Sequence, residues 1–511
     1  MSSSPQRVLS DGVPEVAELT SGNRGPYGLR PRLGLVIGPG VLLITLLLAP
    51  PVGLSIEGWR TAGVAGLMAV LWICESIPIP ATSLLPLVLF PALHLGDIRE
   101  SAAPYGNPIV YLFLGGFIIA LAMQRWNLHK RIALALVGIM GARPRRIIAG
   151  FLIASAFLSM WVSNTATTLM MLPMAISVVQ LLPRHAGGKS KDFATALVLS
   201  VAYGATTGGM ATLIGTPPNA LLAAYMNKIY GITLGFGQWM LLGVPVMLTA
   251  LPVVYLLLTR VSFKLDEQEI PGVADLFERE RAQMGAFSRG EKIVAVVFAL
   301  TALGWITQPL LVKVVPMITD TTIGIGGALL LFLIPVDLRQ GDFAMSWGTA
   351  KELPWDVLLL FGGGLSLAGN IDRHGLSRYL GELCGGLQGA PVLVTLVVLC
   401  FGILMLTELT SNTATAATFL PMVAALALVF DQNPLLFLIP VALAANCSYM
   451  MPVGTPPNAI VFGSGHVTLP QMAKAGFWMN VFLVPILVGL ALLLGPIVFG
   501  IEMDKLPFWV R

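Results

Sequence analysis

Two short polar motifs, each present twice, constrain this chain more than any other feature of its sequence. Ser-Asn-Thr-Ala-Thr occurs at 163–167 and again at 411–415, and Gly-Thr-Pro-Pro-Asn-Ala occurs at 215–220 and again at 454–459. Both motifs appear in the same order in each half of the chain. The pattern predicts two related repeats, each with one polar cluster and one break at adjacent prolines.

The composition indicates that these repeats lie in a membrane. Of the 511 residues, 56% are hydrophobic and only 11% are charged, whereas a soluble domain has about 25% charged residues. At about 20 apolar residues per crossing, the chain can supply about ten to twelve transmembrane helices. The net charge of +4 comes without a basic run interleaved with aromatic residues, which excludes a nucleic-acid partner. The predicted fold class is therefore an all-α polytopic membrane protein.

Two long segments, 145–182 and 391–430, differ from the other apolar stretches. Each is long enough to enter and leave the membrane, yet each carries the Ser-Asn-Thr cluster at its middle. Lipid does not satisfy polar groups at that depth, so the cluster must lie inside protein or beside a cavity. Both segments are predicted to be re-entrant hairpins.

Basic residues predict the orientation of the chain. With a cytosolic N-terminus, the basic residues between 125 and 191 and the charged loop 260–292 fall on the inside, in agreement with the positive-inside rule. The C-terminus then lies outside, the first hairpin opens to the cytosol and the second to the exterior. This predicts an inverted-topology repeat in the inner or plasma membrane, which places a binding site near the midplane.

The motifs carry groups suited to a small cation. Two adjacent prolines at 217–218 remove backbone donors and leave carbonyl oxygens exposed. Side-chain oxygens come from Ser159, Ser163 and Asn164 in the first half, and from Thr407, Ser411 and Asn412 in the second. Neutral oxygens in this number suit a hard cation such as sodium.

The same motifs carry donors for an anion. Two carboxylates can accept hydrogen bonds from a set of amides and hydroxyls: Asn164, Thr165, Asn412, Thr413, Thr216 and Thr455. Helix N-termini at the breaks add positive potential. The alternative is that these side chains only pack membrane helices together. The doubled constellation favours a site.

With these motifs, the sequence resembles the divalent anion:sodium symporter family over residues 35–505. The resemblance implies a homodimer of eleven-helix protomers, in which a transport domain slides as an elevator against a scaffold. It divides the chain into a cytosolic tail (1–32), scaffold helices (33–139 and 292–385), transport elements (140–260 and 386–511) and a cytosolic connector (261–291).

The resemblance also implies the composition of three sites. The first sodium site would use Ser159, Ser163, Asn164 and Gly215. The second would use Thr407, Ser411, Asn412 and Gly454. A dicarboxylate would lie between them on Asn164, Thr165, Asn412, Thr413, Thr455 and Pro456.

Other polar and reactive residues are weighed separately. Glu408 precedes Ser411 by three positions, and two roles stay open for it, sodium-site electrostatics and an internal salt bridge. The cysteines at 74, 384, 400 and 447 are too far apart for a metal or disulfide pattern, so we interpret them as buried small hydrophobic residues.

The function predicted from these observations is import of C4 dicarboxylates (succinate, malate or fumarate) coupled to sodium. The alternatives are sodium-independent dicarboxylate exchange, or transport of citrate or sulfate. A membrane enzyme is disfavoured, because the sequence shows no nucleophile with a neighbouring base inside a span.

Overall fold

The described part of the chain is helical, apart from one short ribbon of two strands. The computed structural model describes residues 28–182, 188–383, 389–502 and 505–510. Most of the predicted tail and Cys384 lie outside these residues. The first helix begins at Leu29, inside the stretch expected to be tail.

The first half runs from α1 to α12. Its helices are α1 (Leu29–Leu47), α2 (Ile56–Cys74), α3 (Ile79–Thr82), α4 (Leu85–Ala92), α5 (Ile98–Ala102), α6 (Pro108–Arg125), α7 (Leu128–Gly138), α8 (Pro144–Ser159), α9 (Asn164–Val179), α10 (Gly188–Gly209), α11 (Pro217–Tyr230) and α12 (Phe236–Leu256). A 3₁₀ turn (Ala103–Gly106) joins α5 to α6, and a π-helical turn (Leu257–Ser262) extends α12.

The second half follows a connector helix, α13 (Val273–Met284), and repeats much of this order. Its elements are α14 (Arg289–Leu311), α15 (Asp320–Leu333), β1 (Pro335–Asp337), β2 (Asp342–Phe343), α16 (Trp347–Ala350), α17 (Trp355–Arg373), α18 (Leu376–Leu383), α19 (Val392–Thr407), α20 (Asn412–Val429), α21 (Pro434–Ala445), α22 (Pro456–Gly463) and α23 (Leu469–Phe499). The strands pair antiparallel, with Pro335 opposite Phe343. Proline occupies the first helical position of α6, α8, α11, α21 and α22, where its missing N–H costs no hydrogen bond.

The two predicted hairpins are present as helix pairs, α8 with α9 and α19 with α20. Three of these helices have 16 residues and α20 has 18. A 16-residue helix is about 24 Å long, shorter than a hydrocarbon core of about 30 Å. The turn of each hairpin coincides with its Ser-Asn-Thr motif, so each motif lies at a tip.

Close packing of α8 against α10 brings the first tip to the first break. A Cβ atom added at Gly208 would overlap the carbonyl oxygen of Ala156. Only glycine permits such an approach of the two helix backbones. The end of α10 therefore lies beside the end of α8.

Membrane-crossing helices are evident among the described residues. Six stretches are long and apolar enough to span a bilayer: α1, Ile98–Arg125, Phe236–Ser262, α14, α20 and α23. This confirms the all-α polytopic class. The number of crossings and the orientation of the termini stay predictions.

The connector is held to the first half by ion pairs and by an apolar face. Arg131 on α7 pairs with Glu291 at 2.7 Å, and Lys130 pairs with Glu280 at 2.9 Å. Phe277 of α13 is buried and lies 6.4 Å, between ring centroids, from Phe151 of α8. The helix of the predicted connector therefore packs one side on the first hairpin.

Cysteine burial follows the prediction at two of the three described positions. Cys400 and Cys447 are buried, whereas Cys74 is half-buried at the end of α2. All three are free thiols.

Candidate functional site

The tip of the first hairpin holds predicted ligands at the point where α8 ends and α9 begins. Ser159, the last residue of α8, is buried, and its Oγ donates to Asn164 Oδ1 at 2.5 Å. Ser163 is the N-cap of α9 and accepts a hydrogen bond from the backbone N–H of Ala166 at 3.3 Å. Ser163, Asn164 and Thr165 are half-buried. The tip thus presents side-chain oxygens where a small ligand can reach them.

The first break lies between the end of α10 and the start of α11, and Asn219 organises it. Asn219 Nδ2 donates to three carbonyl oxygens of the break, those of Gly209, Met210 and Thr212, at 3.3, 3.3 and 2.8 Å. Thr212 Oγ1 in turn donates to the carbonyl oxygen of Met160 in the hairpin turn at 2.6 Å. Side chains therefore satisfy carbonyl oxygens at and beyond the ends of α8 and α10 that have no helical partner.

The tip and the break of the first half are in close contact. A Cβ atom added at Gly215 would lie 2.5 Å from the carbonyl oxygen of Gly209 and 3.0 Å from that of Ser159. One added at Gly209 would lie 2.6 Å from Asn164 Oδ1. The fold thus brings Ser159, Asn164 and Gly215 of the first predicted sodium set together, with Ser163 next in the turn. The Gly209 carbonyl is a further oxygen here that the motifs did not indicate.

The second hairpin repeats this geometry. Thr407, the last residue of α19, is buried and donates through Oγ1 to Asn412 Oδ1 at 2.7 Å. The pair has the same five-residue separation as Ser159 and Asn164. Ser411 is the N-cap of α20, and residues 411–413, including Thr413, are half-buried. The second tip therefore offers the same kinds of groups as the first.

The second break also uses an asparagine to hold its carbonyl oxygens. Asn458 Nδ2 donates to the carbonyl oxygens of Ser448 and Met451, at 3.1 Å each. A Cβ atom added at Gly454 would lie 2.9 Å from the carbonyl oxygen of Glu408 in the hairpin turn. The break and tip of the second half are therefore adjacent, as in the first half.

The threonines that precede the prolines differ in their surroundings from the tip residues. Thr216 is buried, and its Oγ1 donates to Asn446 Oδ1 at 2.8 Å. Its one hydroxyl proton is thus engaged within the protein in this structure, although the sequence predicts a contact with the anion. Thr455 is also buried, whereas the neighbouring Pro456 is exposed.

Glu408 accepts hydrogen bonds from backbone and side-chain donors on two other elements. Its carboxylate receives the backbone N–H groups of residues 449, 450 and 451 at 2.8 to 3.0 Å. It also receives the Ser448 hydroxyl at 3.1 Å and the Asn480 side-chain amide at 2.7 Å. No ion pair of Glu408 occurs among the described residues. Of the two roles left open by the sequence, the salt bridge is therefore not found there, and a set of neutral donors surrounds the carboxylate. The carboxylate fixes the second break to the second hairpin.

Helix N-termini supply positive potential at this site. Asn164, Pro217, Asn412 and Pro456 are the first residues of α9, α11, α20 and α22. Unpaired N–H groups at a helix start favour an anion nearby. Asn446 contacts both Thr216, which precedes α11, and Asn412, the first residue of α20. A single residue therefore bridges the N-termini of these two helices. The arrangement can hold a small anion between cations bound by neutral oxygens.

Sequence reasoning missed the site residues that have no identical residue at the corresponding position of the other half. Asn446 is one, and the role of Glu408 is another. Asn219 and Asn458 lie inside the repeated motif but were not assigned a role. The signal that could have identified these two asparagines is their presence at the same position of both copies of the motif.

The amino-acid sequence matches a known family along most of its length. Residues 32–501 match the family described as the sodium:sulfate symporter transmembrane region. A relative from Staphylococcus saprophyticus, called sodium-dependent dicarboxylate transporter SdcS, is 42% identical over 488 residues, which cover 94% of each chain. A Staphylococcus aureus protein of the same name is 42% identical over 494 residues, covering 95% of each chain.

Two solved structures share the fold at low sequence identity. The YdaH transporter of Alcanivorax borkumensis superposes with a TM-score of 0.54 at 14% identity, covering 93% of this chain and 99% of its own. MtrF of Neisseria gonorrhoeae gives 0.53 at 12% identity, covering 92% and 95%. At such identities the likeness concerns the fold alone.

Paired hairpins and paired broken helices lie here in a chain that matches a transporter family along most of its length. The chain is therefore a membrane transporter and not a membrane enzyme. The chain belongs to the divalent anion:sodium symporter family, as its motifs predicted.

Proposed function

We propose that this chain imports C4 dicarboxylates such as succinate, malate and fumarate across the cell membrane, coupled to sodium. The observation that carries the proposal is the matched pair of hairpin tips. Ser159 with Asn164 and Thr407 with Asn412 form the same oxygen pair beside the same kind of break. The names of the two staphylococcal relatives support the choice of sodium and dicarboxylate.

In this proposal, each tip and its adjoining break bind one sodium ion. Ser159, Ser163, Asn164 and the Gly215 carbonyl serve the first ion, and Thr407, Ser411, Asn412 and the Gly454 carbonyl serve the second. In each pair, the sodium ion takes the place of the hydroxyl donor as the partner of the asparagine oxygen. The hydroxyl group keeps its proton, turns it away and presents its oxygen to the ion. Glu408 adds a negative charge near the second ion, because its carboxylate accepts a hydrogen bond from Ser448 Oγ at 3.1 Å and Ser448 Oγ lies against Gly454.

The dicarboxylate binds between the two ions. The half-buried amides and hydroxyls of Asn164, Thr165, Asn412 and Thr413 donate to its carboxylates, with Thr455 and Pro456 at the edge. The two cations and the helix N-termini balance the charge of the anion. None of the residues assigned to this site is a lysine, arginine or histidine, so anion binding should require bound sodium.

Movement follows the elevator scheme of the family in this proposal, in a homodimer. The hairpins and broken helices pack on one another as one body, including α8 with α10 and α9 with α22. A small cavity lies where α17 packs against α11 and α20. Mainly apolar side chains and a glycine line it, among them Leu221, Gly364, Ala368, Ala417 and Leu420. A mainly apolar contact of this kind can slide at low cost, which supports motion of α11 and α20 against α17.

Uptake by purified protein in liposomes tests the proposal. We expect labelled succinate to accumulate under an inward sodium gradient and not under an equal potassium gradient. Unlabelled malate and fumarate should compete, and citrate and sulfate should compete weakly. Accumulation that is equal in sodium and potassium would support exchange and contradict symport, and stronger competition by citrate or sulfate would reassign the substrate.

Two asparagine variants locate the site. Asn164→Ala should reduce uptake and sodium dependence together, because the residue serves ion and anion. Asn227→Ala is the matched control, since Asn227 lies near the far end of α11. Its side chain bonds only Thr233 Oγ1 among the described residues, at 3.3 Å. Wild-type kinetics in Asn164→Ala would refute its placement.

A further inference from the structure

Asn446 occupies a buried position where the two halves of the chain differ. It follows the last residue of α21 and precedes Gly454 by eight positions. The residue eight positions before Gly215 in the first half is Thr207. Asn446 is 1% exposed. A polar side chain buried at this depth requires partners.

Asn446 uses its whole side chain for contacts with the first half and with its own helix. Its Nδ2 donates to Asn219 Oδ1 at 2.8 Å and to the carbonyl oxygen of Ala442 at 3.1 Å. Its Oδ1 accepts from Thr216 Oγ1 at 2.8 Å. Both first-half partners belong to the Gly-Thr-Pro-Pro-Asn-Ala motif, so the side chain of Asn446 binds the first break through two hydrogen bonds.

The backbone of Asn446 contacts the second hairpin tip. Its carbonyl oxygen accepts from Asn412 Nδ2 at 3.3 Å. Asn412 Oδ1 is the atom that accepts from Thr407. Because the amide of Asn412 is planar, a cation that pulls on Oδ1 also displaces Nδ2 and the bond to Asn446.

One continuous series of hydrogen bonds therefore joins the two predicted sodium sets. It runs from Thr407 through Asn412, Asn446 and Asn219 to the Gly209 carbonyl beside Gly215. The second half has no mirror-image route through its own asparagine. Asn458 Oδ1 is buried without a hydrogen-bond partner among the described residues, whereas its counterpart Asn219 Oδ1 receives Asn446. Among the described residues, the series is therefore present on one side of the site only.

We propose that Asn446 is a positioning residue that couples the two sodium sites, so that an ion at the second tip orders the first break for the next ion. The proposal deepens the proposed function and rests on it. A sodium ion that orders Asn412 fixes the backbone of Asn446, whose side chain then holds Thr216 and Asn219. The carbonyl oxygens that Asn219 orients are those beside the first site. Coupling of this kind is reciprocal, so each ion raises the affinity for the other.

The test measures how succinate uptake into liposomes depends on sodium concentration, at saturating succinate. For the wild type we expect a Hill coefficient well above one. For Asn446→Ala we expect a coefficient near one and a half-saturating sodium concentration raised about five-fold or more. The KM for succinate at saturating sodium should change less than about three-fold. A role in structure alone would reduce the amount of folded protein and not the Hill coefficient.

Two further variants keep the test decisive. Thr207→Val is the matched control: it removes another buried bond between the halves, to the Tyr449 hydroxyl at 3.0 Å, that is not part of the series. It should keep the wild-type coefficient. Thr216→Val removes one bond to Asn446 at nearly constant volume and should lower the coefficient even if Asn446→Ala does not fold.

The outcomes separate the coupling from the proposed function. A wild type that takes up succinate without sodium dependence overturns both. A sodium-dependent wild type whose coefficient is retained in Asn446→Ala, or in Thr216→Val should Asn446→Ala not fold, overturns the coupling alone. An equal fall in Thr207→Val also overturns it, since any lost contact between the halves would then have the same effect.

Discussion

The side-chain amide of Asn480 donates to the carboxylate of Glu408 at 2.7 Å, which ties the last helix to the turn of the second hairpin. Both residues are buried, and the same carboxylate receives three consecutive backbone N–H groups of the second break. One acidic side chain thus holds three elements in register.

Glu408→Gln should destabilise the protein and weaken sodium binding at the second site. The new NH₂ group would face backbone N–H donors, and hydrogen bonds to a charged acceptor are worth about 1.5 to 3 kcal/mol each. Thermal unfolding in detergent should shift to lower temperature, and half-saturating sodium for uptake should rise. Glu382→Gln is the control, because Glu382 forms an exposed pair with Arg378 that contributes little. Equal behaviour of the two variants would contradict the role of Glu408.

Alanine should be harmful at both Gly215 and Gly454, but only the defect at Gly454 should be reversible by a second substitution. A methyl group at Gly215 meets backbone atoms, namely the carbonyl oxygens of Gly209 and Ser159 at 2.5 and 3.0 Å. At Gly454 the nearest atom is the side-chain Oγ of Ser448. We expect Gly215→Ala to reduce sodium affinity at least about ten-fold.

Gly454→Ala should also impair uptake, but Ser448→Gly in the same chain should restore much of it. Position 448 corresponds to Gly209 in the first half, and a glycine there removes the Oγ atom that the new methyl group would meet first. Gly40→Ala serves as the control, because nothing lies within 4 Å of a Cβ atom there. Failure of Ser448→Gly to improve Gly454→Ala would show that the carbonyl of Glu408 is the limiting contact.

Thr413→Val should raise the succinate concentration needed for uptake while sodium binding in the absence of succinate is largely retained. Loss of one hydrogen bond to a charged ligand costs about 1.5 to 3 kcal/mol, which corresponds to a KM increase of roughly ten-fold or more. Thr418→Val on the same helix is the control, since its hydroxyl bonds only the Ala414 carbonyl oxygen, at 2.8 Å, among the described residues. Radiolabel uptake and sodium-dependent thermal shift measure the two quantities. A parallel loss of sodium binding would move Thr413 into the ion site.

Arg131→Lys should loosen the connector from the first half. The guanidinium bonds both oxygens of buried Glu291 and the carbonyl oxygens of Met284 and Gly285. Lysine keeps the positive charge but cannot form this fork, so several of these hydrogen bonds would be lost. Unfolding temperature and protease cleavage near residue 285 should report the change. Arg378→Lys, in an exposed pair, should leave both measurements unaltered.

The fold was predictable because membrane insertion and repetition leave strong marks on a sequence. Apolar stretches indicated the helices, and polar tips inside long apolar segments indicated both hairpins. The pairs Ser159 with Asn164 and Thr407 with Asn412 were accessible because both halves carry them. Physical constraint and internal repetition pointed to the same residues there.

What the sequence did not disclose are the contacts that differ between the halves. Asn446 stands where the first half has Thr207, and Glu408 stands where it has Met160, so comparison of the halves gives no signal for either residue. Apart from the Ala442 carbonyl in the same helix, their side-chain and backbone partners named above lie 34 to 230 residues away along the chain, and only the packed structure brings them together. Thr216 shows the same limit, since its buried bond to Asn446 could not be anticipated from its motif.

The bond between Thr216 and Asn446 also bears on how such a chain can arise and be divided. Asn446 of the second half completes the first break, and Tyr203 of the first half donates its hydroxyl to the Tyr449 carbonyl oxygen of the second break at 2.8 Å. The connector supplies neither group. A half-length ancestor could have formed this arrangement only by pairing two copies. Today's protein, cut within 261–291, should regain uptake only when both fragments are synthesised in the same membrane.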